Sequence, residues 1–195
     1  DPLWSRGLGD VYKRQVIAPA SSSAFIGTST GASSDAVITS VATASATPVA
    51  YIRVNTKNAN GNPAYESITA TISGPGLLSF GGVSGKSLVA NGAGNSDISV
   101  LPDGNAGVAT ISLSTPTVTF APKTVTFYAK AAKTLTASVY NPTLKVGSNS
   151  SAVAVSATDV NGTVWAGTAY IYASSAADAL IGGSATTPVA CSYNS

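Results

Sequence analysis

Asn58-Ala59-Asn60-Gly61-Asn62-Pro63 lies between two runs of alternating apolar residues, 49–56 and 68–72. An Asn-Gly pair between such runs is among the strongest short-range hairpin signals, because both residues accept the left-handed backbone of a tight turn. The stretch therefore predicts strand, turn, strand. It also recurs. Asn60-Gly61 returns as Asn161-Gly162 and Gly81-Gly82 as Gly182-Gly183, both at an offset of 101 residues. Two separate landmarks at one offset imply a repeated module of about a hundred residues.

Outward from the turn, the same period-2 pattern continues. Ala36-Val37-Ile38-Thr39-Ser40-Val41 and Val49-Ala50-Tyr51-Ile52-Arg53-Val54 read as strands, the second preceded by Pro48, a residue tolerated at a strand's first position. In Ile68-Thr69-Ala70-Thr71-Ile72 the apolar residues share one face and the threonines the other. Ser73-Gly74-Pro75-Gly76 breaks that strand, and short strands are expected around 77–80 and 87–90. Leu101-Pro102-Asp103-Gly104-Asn105-Ala106-Gly107 reads as a turn leading into 108–114, where Ala109, Ile111 and Leu113 should face a core; 124–129 closes the unit. A second series starts at 134–139, continues through 152–157, turns at Asp159-Val160-Asn161-Gly162 and resumes at 168–173. Short strands with turns about every ten residues, and no helical period, predict an all-β sandwich with almost no helix.

Composition restricts function more than it reveals it. Charged residues make up 9% of the 195, against roughly a quarter in ordinary soluble domains. The hydrophobic fraction of 44% is ordinary, so the chain is not of the disordered class. Ser, Thr, Asn and Gly replace the charges, which suits exposed strand faces and turns. A net charge of +2 gives no basis for nucleic acid or an anionic membrane as partner. No apolar run reaches the ~18 residues of a membrane span. No signal peptide is visible and there is no Met, so the chain is expected to be an internal piece of a longer protein. Residues 1–15 hold Asp1, Arg6, Asp10, Lys13, Arg14 and Trp4 but no Ala or Thr. They resemble translated sequencing-adapter sequence and are set aside from the fold. Residues 16–34, rich in Ser, Ala and Gly, read as a disordered linker or the end of a preceding repeat.

Taken in order, the Asn-Gly-Asn-Pro turn, Asp103-Gly104-Asn105-Ala106-Gly107-Val108-Ala109-Thr110-Ile111 and Thr124-Val125-Thr126-Phe127-Tyr128-Ala129 resemble a bacterial immunoglobulin-like repeat of the invasin/intimin type. The resemblance covers residues 35–133 fully and 134–195 in part; Thr163-Val164 departs from it where Asn-Pro would stand. It implies an immunoglobulin-like antiparallel β-sandwich at 35–133 and a second repeat at 134–195 lacking its last strands. It further implies a cell-surface or secreted protein whose repeats form a stalk, with neighbouring repeats as partners. Adhesion to a host or surface glycan or protein would then fall to a domain outside this chain. A carbohydrate-binding module of a secreted enzyme and an immunoglobulin-like decoration of a phage virion are the alternatives.

Catalysis lacks an inventory. There is no His, so no Ser or Cys191 can have a His base, and no phosphate-cradling or dinucleotide motif appears. Catalytic residues, cofactors and metals are therefore expected to be none. The turns at Asn58, Asp103 and Asp159 offer Asx oxygens, but at most one carboxylate each, which fits turn chemistry better than calcium. The remaining candidates are aromatic: Trp165, Tyr170 and Tyr172 could stack a saccharide if they share an exposed face. Copying the first repeat without gaps buries Ala169, Ile171 and Ala173 and exposes both tyrosines. Aligning Trp165-Ala166-Gly167 with the family pattern puts the tyrosines inside, where they supply more core.

Overall fold

The computed structural model describes residues 16–92, 94–172, 175 and 188–191. Residues 1–15 and the Gly182-Gly183 landmark lie outside them. In the first unit, β1 (Ser23–Gly27) pairs with β3 (Ala50–Asn55), followed across the sheet by β8 (Asn95–Leu101), β5 (Leu77–Phe80) and β6 (Val83–Gly85), all antiparallel. The facing sheet runs β2 (Thr39–Val41), β10 (Lys123–Tyr128), β9 (Gly107–Ser114), β4 (Ser67–Ser73) and β7 (Ser87–Asn91). All its pairings are antiparallel except β2 with β10, which is parallel. Two five-stranded sheets thus face each other, with β1-β3-β8-β5 in one and β10-β9-β4 in the other arranged as in an immunoglobulin-like sandwich. Among the described residues the helical content is one 3-10 turn at Pro19–Ser21.

Strict alternation builds the core. β4 buries Ile68, Ala70 and Ile72 and exposes its Ser and Thr, and β9 buries Ala109, Ile111 and Leu113, as the sequence pattern predicts. Opposite them stand Ile52, Val54, Leu78, Ile98 and Val100, with Phe127 the largest wholly buried side chain. Gly76 has to be glycine: its φ is +90°, and a Cβ there would lie 2.8 Å from the Phe127 ring.

Three readings of the sequence need correction. The turn 58–63 is not the tip of a hairpin between β3 and β4, which belong to different sheets. A bridge between Lys57 and Pro63 and an Ala64 N–H to Thr56 carbonyl bond of 2.9 Å close the turn locally, and the chain then crosses to the opposite sheet. Buried Thr56 secures the crossing by donating its hydroxyl to the Ala64 carbonyl at 2.7 Å. Secondly, residues 16–34 are not a disordered linker. They supply β1, whose Ala24 and Ile26 enter the core, while Ile17 packs against Ala64 and Val118. Thirdly, β8 lies in a stretch for which the sequence pattern predicted no strand. Its Asp97 faces outward and pairs with Arg53 directly across on β3, while Ser96, Ile98 and Val100 turn inward.

Two lysines tie distant loops to this frame. Lys123 on β10 is buried and donates to Asp35 Oδ2 at 2.7 Å, while Asp35 Oδ1 accepts the Ile26 N–H, fixing the point where the chain passes from β1 to β2. Lys86 donates to the carbonyls of Gly74 (2.7 Å) and Gly76 (2.6 Å) and to Asp103 Oδ2 (2.9 Å), so the β4–β5 turn and the β8–β9 loop share one cation.

Beyond residue 129, β11 (Thr134–Val139) pairs with β12 (Val153–Thr158), and β13 (Ala169–Ile171) with β14 (Val189–Cys191). The pairs Ala169–Cys191, Tyr170–Ala190 and Ile171–Val189 repeat Ile68–Ala90, Thr69–Val89 and Ala70–Leu88 of β4 and β7, each residue 101 further on. Among the described residues, the edges of β12 and β13 that correspond to those covered by β8 and β9 carry no strand.

Burial tends to raise the Asp103 carboxyl, but Lys86 and the Gly76 and Asn105 N–H groups outweigh it and lower its pKa to about 2. The unfolded carboxyl titrates near ~3.9, so this contribution to stability is complete above that value and is lost as pH falls towards 2. Thermal unfolding followed by circular dichroism is expected to show Tm falling across that window, with a shallower fall in Lys86→Met.

Candidate functional site

The turn that opened the sequence reading recurs with its hydrogen bonds. In the first unit Asn58 Oδ1 accepts the N–H groups of Asn60 and Asn62, each at 3.0 Å. In the second, Asp159 Oδ1 accepts those of Asn161 and Thr163, each at 2.9 Å. Gly61 and Gly162 both take positive φ, and the bridge Lys57–Pro63 has its counterpart in Thr158–Val164. The Ala64 N–H bond to Thr56 is matched by that of Trp165 to Ala157, at 3.0 Å. The side chain satisfies the turn's backbone donors in both copies.

Around the second turn a buried carboxylate and an aromatic pair lie together. Asp159 is 1% exposed. Burial raises its carboxyl, but the N–H groups of Ala129, Thr163 and Asn161 prevail and its pKa is lowered. The ring centroids of Trp165 and Tyr128 are 6.4 Å apart at an interplanar angle of 77°, an edge-on packing. Trp165 Nε1 donates to the Lys130 carbonyl at 3.4 Å, and the indole lies over Gly167, where a Cβ would come within 2.2 Å of the ring.

The three aromatic candidates do not share one exposed face. Tyr170 and Tyr172 are each 68% exposed on one face, whereas Trp165 is half-buried in the contact with Tyr128. The register that places both tyrosines inside is overturned. The physical reason is the turn itself: its bonds repeat without insertion, so the 101-residue offset persists through β13 and turns Ala169 and Ile171 inward. Cys191 takes the place of buried Ala90 and lines a shallow apolar cleft of about 230 Å³ with Leu135, Val155, Ala157, Val164 and Trp165. Among the described residues no three His, Cys, Asp or Glu side chains gather into a possible metal site.

The bond from Ala129 to Asp159 and the packing of Tyr128 on Trp165 were not anticipated from sequence. The one available signal was chemical: a carboxylate at 159 where the first turn manages with an amide at 58.

No protein-family model matches the chain, nor does any curated protein. Similar solved structures include InvD of Yersinia pseudotuberculosis, at 14% identity over 78% of this chain and 45% of that one, with a TM-score of 0.43. The adhesin InvE of the same organism gives 15% identity, 93% and 51% coverage and a TM-score of 0.42. Invasin, a bacterial integrin-binding protein, gives 18% identity, 80% and 30% coverage and a TM-score of 0.40. The chain spans about half or less of each of these proteins.

Because both tyrosines stand in solvent, Tyr170→Ala and Tyr172→Ala are expected to change folding stability by no more than ~0.5 kcal/mol in chemical denaturation. A loss of several kcal/mol from either would restore the inward register.

Proposed function

We propose that the chain is two consecutive immunoglobulin-like repeats from the non-catalytic stalk of a bacterial cell-surface or secreted adhesin-like protein. The observation that carries this reading is the reproduction, 101 residues on, of one turn, one bridge and one strand pairing. Among the described residues, β12 and β13 carry no strand on the edges that correspond to those covered by β8 and β9 in the first unit. Sandwiches joined in series through a short connection hold whatever lies at their far end away from the cell. Binding of a host or surface glycan or protein belongs in this reading to another domain. The motif resemblance to invasin/intimin repeats points the same way.

A second reading keeps one observation in its favour. The solvent-facing pair Tyr170 and Tyr172 is the kind of surface on which a sugar ring stacks, as in a carbohydrate-binding module.

Two experiments separate the readings. Pulling the full-length polypeptide in an atomic force microscope is expected to give a sawtooth with contour-length steps of about 33–36 nm, one 101-residue repeat at full extension. Absence of a regular step would overturn the repeat stalk. A glycan array probed with the 195-residue chain is expected to show no retention. Retention abolished by Tyr170→Ala or Tyr172→Ala would replace the stalk reading with the second.

A further inference from the structure

Asn58 and Asp159 hold equivalent places and do the same work inside their turns, each using one side-chain oxygen to accept two backbone N–H groups. An amide suffices for that task, as the first turn demonstrates. Asp159 has a second acceptor, and the structure spends it elsewhere: Oδ2 accepts the N–H of Ala129 at 2.8 Å, thirty residues earlier in sequence, just after the last strand of the first unit. An Asn would present an amide NH₂ there and could not accept. The residue six further on differs in the same sense. Ala64 is wholly buried within the first unit, whereas its counterpart Trp165 reaches across to Tyr128, the last residue of β10, and to the Lys130 carbonyl. Lys133 donates its N–H to Thr158 at 2.7 Å. Residues 128–130, where the chain leaves β10, are thus held at three points by Asp159 and Trp165, and the Lys133 bond continues the β11–β12 ladder just beyond them.

On the two-repeat reading, we propose that Asp159 and Trp165 form a clasp that docks the second repeat onto the end of the first in one orientation. The surface they make fits a partner of defined chemistry: a preceding repeat whose last strand ends in an aromatic residue followed by a free backbone N–H. With Asn58 and Ala64 in the corresponding places, the first turn holds the segment before β1 by other means, the Ala18 N–H to the Lys57 carbonyl at 2.8 Å and Ile17 packed on Ala64. Stiffness along the stalk is therefore written joint by joint.

The test uses the whole chain, with Cys191→Ser and spin labels attached through Ser84→Cys on β6 and Thr136→Cys on β11, both exposed positions. Double electron–electron resonance is expected to give one narrow distance distribution. Asp159→Asn keeps the in-turn acceptor and removes the one facing Ala129. The undocked population should rise roughly tenfold, the scale of one hydrogen bond to a charged acceptor, and broaden the distribution. Ala129→Pro deletes the same bond from the donor side and should broaden it likewise. An unchanged distribution in Asp159→Asn, with the Asn161 and Thr163 amide resonances in place, overturns the clasp. If that variant unfolds the second unit, Ala129→Pro decides alone, and an unchanged distribution there overturns it. A broad distribution in the unsubstituted chain also overturns the clasp, yet leaves the regular force steps, and with them the repeat reading, intact.

Discussion

The first unit depends on one constraint: every strand must show its apolar side to a single inner layer, and the chain must keep changing sheets to let it. Ile52 and Val54 on β3 face Ile68, Ala70 and Ile72 on β4 across that layer. The two strands are close in sequence but do not pair: they lie in different sheets, so their apolar residues meet across the layer. The segment 56–66 resolves this by closing a small loop on itself before releasing the chain to the other side. Asn58 and Thr56 satisfy part of its polar groups internally, and the Thr56 N–H bonds outward to the Gly94 carbonyl at 2.9 Å.

This explains what was legible in the sequence and what was not. Alternation is a local property, and the inward faces of β4 and β9 could be read residue by residue. Which strands sit side by side is not local. An Asn-Gly turn between two alternating runs has the same appearance whether its arms pair or part, and here they part. β8 was hidden because Asn95, Ser96 and Asp97 look like loop residues until Arg53 is found opposite Asp97. β1 was hidden because Ala24 and Ile26 are its only core residues amid Ser and Gly.

The candidate site was legible only in outline. Trp165, Tyr170 and Tyr172 were singled out by residue type, but spacing could not say which way each ring points. The tyrosines followed the unbroken offset into solvent. Trp165 was taken up by a contact with residue 128, which no periodicity within the second repeat could reveal. The Asp-for-Asn difference at the turn was visible throughout, yet acquires meaning only once Ala129 is seen beside it.

The parallel pairing of β2 with β10 bears on how such a chain is made. Thr39 and Thr126 lie side by side, and Lys123 reaches back 88 residues to Asp35. The earliest part of the sheet thus waits for the latest. A polypeptide emerging N-terminus first has no finished edge, and no partner for β2, until residue 128 is free. Contacts that span nearly the whole unit slow its closure, and they leave unpaired strands exposed in the interval. During synthesis the first unit is therefore an open sheet in need of protection until its final strand arrives.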